Sequence, residues 1–293
     1  MGELGWRTVV VQKANQLSLT DGNLAVKKEA KELFLPTQQM QTLFIANSQG
    51  DISLNLINEL SADNTSVIIC DKKHRPSCQI IPFGIHNNLA GNIIDQAKWD
   101  KNVCENIWQE IIKQKIGMQI LLLKQKEIPL CEKLTEYQAN VLPGDVSNRE
   151  GQAARMYFNR LFGSKFRRHS QDNINAALNY AYTIILSEFN RIVVSHGYHT
   201  ALGINHRSHN NPFNLSCDLM EPFRPFADKI VFENKNRTLD WEYKKELIEI
   251  PNNFGRYNNK KYLIKDIMEL FTLDVLKKLK KTSRKLGEIS FYE

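Results

Sequence analysis

The sequence predicts an α+β fold in two parts: a small N-terminal β-sheet or sandwich domain over residues 1–82 and a mainly α-helical domain over residues 83–293. Short β-branched runs separated by turn residues dominate the first part. After residue 83 the apolar residues recur at three- and four-residue steps, which is the period of a helix. The 293 residues, 42% of them apolar, are enough for a sizeable core and for two domains.

The N-terminal part is predicted to contain short strands and one helix. Thr8–Val11 is a β-branched run. The Asp21-Gly22 dipeptide stands between two segments of alternating apolar residues, and it is a strong signal for a two-residue hairpin turn. Further strands are predicted at 42–45, 66–70 and 78–82, with a helix over 51–60.

The C-terminal part is predicted to be built on long helices. Between Ile174 and Ile192 apolar residues cover much of the helix circumference, so this helix is expected to be central. A second apolar stripe runs from Ile264 to Leu279, with lysines opposite. The polar residues 252–261 are predicted to form a loop.

The whole net charge of +7 lies in the C-terminal part. Residues 1–82 carry eight basic and eight acidic side chains, whereas the other 211 residues carry 31 and 24. Lys and Arg release counterions from phosphates, so an uneven basic surface favours a nucleic-acid partner. Solubility alone is the alternative, and the basic run 277–285 also fits a solvated helix end.

The cysteines and the hydropathy pattern favour a cytoplasmic protein. No uncharged apolar run of about 18 residues occurs, so no membrane span is expected. The cysteines are odd in number and form no CxxC pair, as expected of reduced thiols. They are Cys70, Cys78, Cys104, Cys131 and Cys217.

Residues 143–163 are predicted to form a turn followed by a helix. Pro143-Gly144 gives the turn, and either Ser147 or Asn148 can cap the helix. The helix is expected to end near Gly163.

Glu150 falls in the first turn of this helix. It precedes Ala154 by four residues, so it shares the side that also carries Tyr157, Phe158 and Leu161, which is predicted to be buried. A carboxylate in a first turn is also stabilised by the helix dipole, and that explains an isolated Glu equally well.

A further helix is predicted to begin at Pro212, with Asn210 or Asn211 as its cap. Its apolar contacts come from a series of Phe and Leu residues between Phe213 and Phe226. This places the acids of the same segment next to a hydrophobic core.

Asp218 and Glu221 are three residues apart and therefore share a face of this helix. Pro222 removes a backbone hydrogen bond, so a kink is expected there. Two interpretations are open: the acids bind a ligand, or they form an internal ion pair with Arg224.

Histidines cluster next to these acids, at positions 196, 199, 206 and 209. One imidazole with two carboxylates suits a divalent metal that keeps open positions. Carboxylates favour Mg²⁺, and an imidazole shifts the preference toward Mn²⁺. No phosphate-binding GxxxxGK[ST] loop and no GxSxG element occur, so ATP chemistry and serine hydrolysis are not supported.

The acids are surrounded by basic residues in the sequence. Residues 149–207 contain eight basic and three acidic side chains. This pattern suits phosphodiester chemistry, in which arginines hold the backbone and acids hold the metal. The expected DNA contacts are Arg149, Arg155, Lys165, Arg167, Arg168, Arg207 and Arg224.

Several sequence blocks together resemble a known family. "NREGQAARMYF", "LGINH" and "DLMEPFRP" are similar to blocks of the CRISPR-associated spacer-acquisition integrase, also described as an endonuclease. The opening "GWRTVVVQKANQLSLTDGNLAVK" and "ICDKKHRPSCQIIPFG" resemble its type II branch, and the likeness runs from Trp6 to about Lys285. Many relatives carry "GLDP" where this chain has "GYHT" at 197–200.

This resemblance implies a metal site formed by Glu150, His206 and Glu221, with Asp218 as a supporting acid. It implies Mg²⁺ or Mn²⁺ as the cofactor and double-stranded DNA as the substrate. It also implies a homodimer that joins a small CRISPR-associated partner in a heterohexameric complex. The expected reaction is attack of a 3′-hydroxyl of a short foreign duplex on a phosphodiester of the repeat array.

Two other hypotheses remain open from the sequence. The chain can be a catalytically silent DNA-binding scaffold in which the acids form structural ion pairs, or a zinc-dependent hydrolase that uses the histidine cluster. Dependence on Mg²⁺ or Mn²⁺ separates an enzyme from a scaffold, and zinc retained on purification would favour the hydrolase.

Overall fold

The structure is a computed structural model that describes residues 7–29, 31–46, 49–82, 86–129, 132–281 and 285–292. Its contacts divide the chain into two compact units. The first extends to Leu89 and includes Val194–Gly197, and the second comprises Ala90–Val193 and the chain from Tyr198 onward. A strand-rich first unit and a helical second unit confirm the predicted α+β fold. The predicted boundary at residue 83 lies outside the described residues and stays a prediction.

The described part of the first unit contains two four-stranded sheets, one complete α-helix and a 3₁₀ turn at Thr37–Gln39. The elements are β1 (Arg7–Val11), β2 (Gln16–Thr20), β3 (Asn23–Lys28), β4 (Lys31–Pro36), β5 (Met40–Ile45), β6 (Asp51–Ile52), α1 (Leu54–Ala62), β7 (Ser66–Cys70) and β8 (Pro76–Ile80). One sheet has the order β1-β5-β7-β8, in which only β8 runs antiparallel to its neighbour. The other has the order β4-β3-β2-β6.

The predicted hairpin is present between β2 and β3. Thr20 pairs with Asn23, and the two turn residues Asp21 and Gly22 have φ values of 50° and 71°. Both values lie in the left-handed region that a two-residue hairpin turn needs.

The predicted helix over 51–60 begins later than expected. Residues 51–52 pair with β2, and the helix starts at Leu54, because Ser53 caps it by accepting a hydrogen bond from Leu56 N at 3.3 Å. Strand β4 was not predicted. It lies at the edge of its sheet and its apolar side chains Leu33 and Phe34 are exposed, so burial does not impose the alternation of apolar and polar residues that marks a strand in a sequence.

The second unit is organised around a long helix that the apolar spacing had not singled out. From residue 89 onward the elements are α2 (Leu89–Ala97), α3 (Lys101–Gln125), α4 (Glu132–Ala139), α5 (Arg149–Phe162), α6 (Asn173–Ser195), α7 (Asn214–Met220), α8 (Arg224–Glu233), α9 (Trp241–Ile248), β9 (Phe254–Tyr257), β10 (Lys260–Leu263), α10 (Ile264–Leu279) and β11 (Ile289–Phe291). Helix α3 contacts α4, α5, α7, α8 and α10. Helix α6 is buried over much of its circumference, as predicted, and the apolar stripe of α10 is buried as well.

The prediction of a loop over residues 252–261 is wrong. Residues 252–261 form most of a hairpin, β9–β10, and β11 pairs with the other edge of β9. Asn258 and Asn259 provide its turn with φ values of 51° and 64°, and Gly255 and Tyr257 supply the buried side of β9.

The helix expected to begin at Pro212 begins at Asn214. Asn211 Oδ1 accepts a hydrogen bond from Phe213 N at 3.0 Å, and the carbonyl of Pro212 accepts one from Thr200 Oγ1 at 2.7 Å. These contacts hold the chain in a turn before the helix starts.

Among the described helices, none is long and apolar enough to cross a bilayer. Cys70, Cys78, Cys104 and Cys217 are free thiols. Cys131 lies outside the described residues.

Candidate active site

Glu150 is held in the first turn of α5 by two capping side chains. Asp145 accepts hydrogen bonds from the backbone nitrogens of Arg149 and Glu150, at 2.8 and 2.9 Å. Asn148 accepts one from Gly151 N at 3.1 Å, so of the two predicted caps it is Asn148 that serves. Three of the free N–H groups at the helix start are therefore satisfied, which fixes the backbone that carries Glu150.

The buried face of α5 is rotated slightly from the predicted one. Tyr157 and Leu161 are buried as expected, together with Ala153, whereas Ala154 and Phe158 are only half-buried. Helix α5 ends at Gly163, as predicted. The Glu150 side chain keeps 31% of its surface exposed.

Glu221 lies where the chain breaks between α7 and α8. Glu221–Phe223 is a 3₁₀ turn that contains Pro222, so the predicted interruption is present. Arg224 binds both carboxylate oxygens of Glu221, Oε2 through Nε and Oε1 through Nη2, each at 3.0 Å. The internal acid–arginine pair considered as an alternative therefore exists for Glu221, whose side chain is only 4% exposed.

The two glutamates meet at a lysine that sequence reasoning missed. Lys115 of α3 places Nζ 2.5 Å from Glu150 Oε1 and 2.5 Å from Glu221 Oε2. The lysine is buried. Two carboxylates that are distant along the chain thus converge on a single cationic atom. The available signal was position, because Lys115 follows Ile111 by four residues and precedes Met118 by three, inside an apolar stripe.

These ion pairs control the protonation of the group. Burial by itself would lower the pKa of Lys115, but the Glu221 and Glu150 carboxylates outweigh it and raise that pKa above its ordinary value. Burial works against the charged form of Glu221 as well, yet Arg224 and Lys115 lower its pKa to about 2. Both Lys115 and Glu221 are therefore charged at neutral pH.

His206 and Asp218 form a second pair in the same unit. The Nδ1 of His206 lies 2.5 Å from Asp218 Oδ1. The same carboxylate accepts the backbone N–H groups of Ile204, Asn205 and His206, at 2.6, 2.9 and 3.1 Å. The edge of the imidazole packs on Trp108, with 5.5 Å between ring centroids. The ring is thus oriented from two sides.

The hydrogen bond to Asp218 raises the pKa of His206, against the opposing effect of its partial burial, and Glu221 and Glu150 raise it further. Both glutamates therefore act electrostatically on the imidazole. Burial favours the neutral form of Asp218 and raises its pKa. We assign the ionised form nevertheless, because three backbone N–H groups donate to its two oxygens, and the raised pKa of His206 favours a protonated Nδ1 as a fourth donor.

The loop that carries His206 is clamped by a buried amide. Gln96 Nε2 donates to the carbonyls of His199 and Leu202, at 2.8 and 2.7 Å, and its Oε1 accepts from His199 N at 2.8 Å. Gly203 is needed here, since a Cβ atom at this position would stand 2.7 Å from Asp218 Oδ2. Gln96 was also missed, because it lies far from the acids in sequence, whereas Gly203 lies in the block "LGINH".

The oxygen and nitrogen donors of this site are of the kinds that a divalent cation binds, and in this structure the ammonium of Lys115 lies between the two glutamates. Within the described residues, no three His, Cys, Asp or Glu side chains gather closely enough to hold a metal ion, and this includes the histidine cluster. Glu150 and Glu221 nevertheless share one cationic atom, and Nδ1 of His206 is hydrogen-bonded to the carboxylate of Asp218, an arrangement that metal-binding histidines commonly have. The assignment of Glu150, His206 and Glu221 as ligands stays a prediction.

The predicted DNA-contacting cations differ in how they are held. Arg155, Lys165, Arg167 and Arg207 are exposed. Arg167 nevertheless donates to the backbone carbonyls of Ser164 and Phe166. The remaining three bind side chains, which are Gln152 and the ring of Tyr137 for Arg149, Asn175 and Asn179 for Arg168, and Glu221 for Arg224. Arg155 also lines an open cleft of about 530 Å³ between α4 and α5, together with Tyr137 and Arg160.

The family of the chain follows from comparison with known proteins. A model of the family described as CRISPR associated protein Cas1 matches residues 8–246. The chain belongs to the Cas1 family. It is 33% identical over 227 residues to the CRISPR-associated endonuclease Cas1 of Neisseria meningitidis serogroup C (strain 8013), covering 77% of this chain and 75% of that protein.

Solved structures share the fold of this Cas1 family member. A casposase bound to its integration product matches with a TM-score of 0.78 at 18% identity, over 96% of this chain and 92% of that chain. A Cas6-RT-Cas1–Cas2 complex matches with a TM-score of 0.74 at 20% identity, over 97% of this chain and 36% of that longer chain. At these identities the likeness is one of fold.

Proposed function

We propose that this Cas1 family member is a divalent-metal-dependent DNA integrase and endonuclease that inserts short foreign duplexes into CRISPR repeat arrays. The observation that carries the proposal is the convergence of Glu150 and Glu221 on one cationic atom, in the same unit as the His206–Asp218 pair. The names of the relatives, an endonuclease and a casposase bound to an integration product, support the same chemistry.

Glu150, Glu221 and His206 are the residues that would hold Mg²⁺ or Mn²⁺. When bound, the cation would neutralise charge that develops on the attacked phosphate. Asp218 engages Nδ1 of His206, so Nε2 is the ring nitrogen left for the reaction. A neutral Nε2 serves as a ligand, and a protonated one serves as a proton donor.

The reaction exchanges one phosphodiester bond for another. The 3′-oxygen of the incoming duplex bonds to phosphorus and loses its proton, and the 3′-oxygen of the repeat strand leaves and takes up a proton. The number of phosphodiester bonds is unchanged, so no nucleotide hydrolysis is required. Water in place of the attacking hydroxyl gives strand cleavage, which is the endonuclease activity.

Exposed cations would hold the DNA backbone around this site. Arg155 and Arg160 line the cleft on α5, the helix that also carries Glu150, and Lys165 and Arg167 follow the same helix. Phosphate contacts of this kind position a duplex without reading its sequence. We further propose a homodimer that joins a small CRISPR-associated partner in a heterohexamer, working in the cytoplasm, and the fold shared with a Cas1–Cas2 complex supports this partner.

A second candidate function is a catalytically silent DNA-binding scaffold. It is favoured by the ion pairs themselves, since Lys115 and Arg224 already satisfy Glu221. A scaffold of this kind would bind the array and the duplex, but it would transfer no strand.

The test is an integration assay with a labelled duplex and a supercoiled plasmid that carries a repeat array, with and without the small partner. We expect strand transfer that needs Mg²⁺ or Mn²⁺ and stops in EDTA.

Glu150→Gln should abolish strand transfer and keep the DNA affinity within about twofold of the wild type, because the partly exposed Glu150 can lose its charge without unfolding the site. Glu136→Gln, an exposed position on α4, is the matched control. Metal-independent transfer, or full activity of Glu150→Gln, would refute the proposal, and binding without transfer in the wild type would identify the scaffold.

A further inference from the structure

The site is electrically complete without an added cation. Glu150 and Glu221 contribute two negative charges, and Lys115 and Arg224 contribute two positive ones. Arg224 occupies both oxygens of Glu221, and Lys115 adds a third contact on Oε2. A divalent ion that joined this group unchanged would leave it with a surplus of two positive charges in a buried setting, which is unfavourable.

The ammonium also occupies the position that an ion bound by both glutamates would take. Nζ of Lys115 is 2.5 Å from one oxygen of Glu150 and 2.5 Å from one oxygen of Glu221. Metal–oxygen distances for Mg²⁺ are about 2.0–2.1 Å, so an ion bonded to the same two oxygens would stand almost on Nζ. The lysine and the ion therefore exclude each other from this place.

We propose that Lys115 is the built-in counter-ion of the site: its ammonium holds Glu150 and Glu221 together in the metal-free chain, and it must leave the position between them when a divalent cation binds. Lysine suits this exchange, because its charge sits at the end of a flexible stem of four carbons. The concentration of free metal that loads the site is then set by competition with Lys115. The inference rests on the proposed metal dependence. It adds that Lys115 competes with the metal and weakens its binding.

The buried surroundings favour a move of the Lys115 ammonium to another internal carboxylate over its release into water. Lys115 is 6% exposed, so the ammonium has little access to water where it stands. A third carboxylate lies within its electrostatic range, since Lys115 contributes to lowering the pKa of Asp228 against the larger effect of burial. Asp228 is itself buried and is held by the hydroxyl groups of Tyr157 and Tyr182. The displaced charge thus has a partner inside the protein.

The experiment measures Mn²⁺ binding directly, by titration of the full-length protein in the absence of DNA. In Lys115→Met the two carboxylates lose their internal competitor, so we expect the dissociation constant for Mn²⁺ to fall at least tenfold. The metal-free variant should also unfold at a lower temperature than the wild type, because like charges are left together, and Mn²⁺ should raise that temperature more than it does in the wild type. Lys124→Met, at an exposed position of the same helix, should leave all three quantities unchanged.

The alternative outcomes are distinct. A wild type that binds Mn²⁺ and a Lys115→Met variant that binds it equally or more weakly would overturn the role of Lys115 and leave the proposed function standing. Absence of Mn²⁺ binding in both proteins would overturn the metal dependence as well. Should Lys115→Met fail to fold, Lys115→Gln removes the charge while keeping a polar group, and the same tightening of Mn²⁺ binding is required of it.

Discussion

The imidazole Nδ1 of His206 lies 2.5 Å from Oδ1 of Asp218, and the same carboxylate accepts the backbone N–H groups of three successive residues that end at His206. One buried acid therefore shapes the loop and orients the ring at its end. Asp218 therefore acts as a positioning residue for His206 in this structure.

Asp218→Asn should destabilise the loop. An amide offers one acceptor oxygen to donors that now bind two, and its NH₂ group faces N–H groups that cannot accept. We expect the free energy of unfolding to drop by about 2–4 kcal/mol, as measured by chemical denaturation. Asp95→Asn, an exposed position on α2, should stay within about 0.5 kcal/mol of the wild type. An Asp218→Asn protein as stable as the wild type would show that the loop is organised by other contacts.

Glu221→Gln should cost more stability than Glu150→Gln. Replacing Glu221 leaves Lys115 and Arg224 with no full counter-charge in a buried place, whereas Glu150 is partly exposed and binds only Lys115 among the described cations. We expect a loss of about 3–5 kcal/mol for Glu221→Gln and about 1 kcal/mol or less for Glu150→Gln, measured by urea denaturation of the two proteins side by side. Equal losses would mean that the Arg224–Glu221 pair is not buried in solution as it is here.

The exposed cations after α5 should contribute to DNA affinity through phosphates alone. Lys165→Ala with Arg167→Ala should weaken binding to duplexes of any sequence, and it should reduce the slope of log affinity against log salt by about 1 for each phosphate that the protein no longer neutralises. Arg168 is left in place, because it is half-buried and binds the side chains of Asn175 and Asn179, whereas Arg167 is exposed and donates to the backbone carbonyls of Ser164 and Phe166. A fluorescence anisotropy titration at several salt concentrations measures both effects. Lys72→Ala is the control in the first unit, and an unchanged slope in the double variant would remove these residues from the interface.

Local signals in the sequence predicted the fold where they agreed with the final packing. Asp21-Gly22 produced its hairpin, and the apolar periods of α6 and α10 produced buried helices. The hairpin at residues 254–263 was missed for two reasons. Its turn uses Asn258-Asn259, and strand β9 is so short that only Gly255 and Tyr257 form its buried side. Alternation over so few residues becomes visible only once pairing partners are known.

The acidic residues of the candidate site could be predicted from the sequence, but the lysine between them could not. Acids beside apolar positions, a helix cap and a proline drew attention to Glu150, Asp218 and Glu221. Lys115 lies in a helix whose surroundings come from distant parts of the chain, so nothing local distinguishes it from a surface lysine except the apolar stripe around it. Gln96, which holds the His206 loop, gave no local signal either. Tertiary contacts of this kind decide which polar residues are buried.

Asp228 should make the stability of this chain fall as the pH rises from about 4 to 6. Burial raises the pKa of Asp228 to about 6, although hydrogen bonds from Tyr182 and Tyr157 favour its charged form. Between its ordinary pKa and this raised value the folded chain keeps a proton that the unfolded chain has lost, so the cost of ionising Asp228 is absent below this window and complete above it. A shift of this size corresponds to about 3 kcal/mol.

Asp228→Asn carries no such cost, because its amide can accept from one tyrosine hydroxyl and donate to the other. The free energy of unfolding of Asp228→Asn minus that of the wild type should therefore increase by about 2–3 kcal/mol between pH 4 and pH 7 in urea denaturation series. Asp95→Asn should show no such trend, and a difference that is flat or falls with pH for Asp228→Asn would mean that Asp228 is already ionised in the folded chain at pH 4.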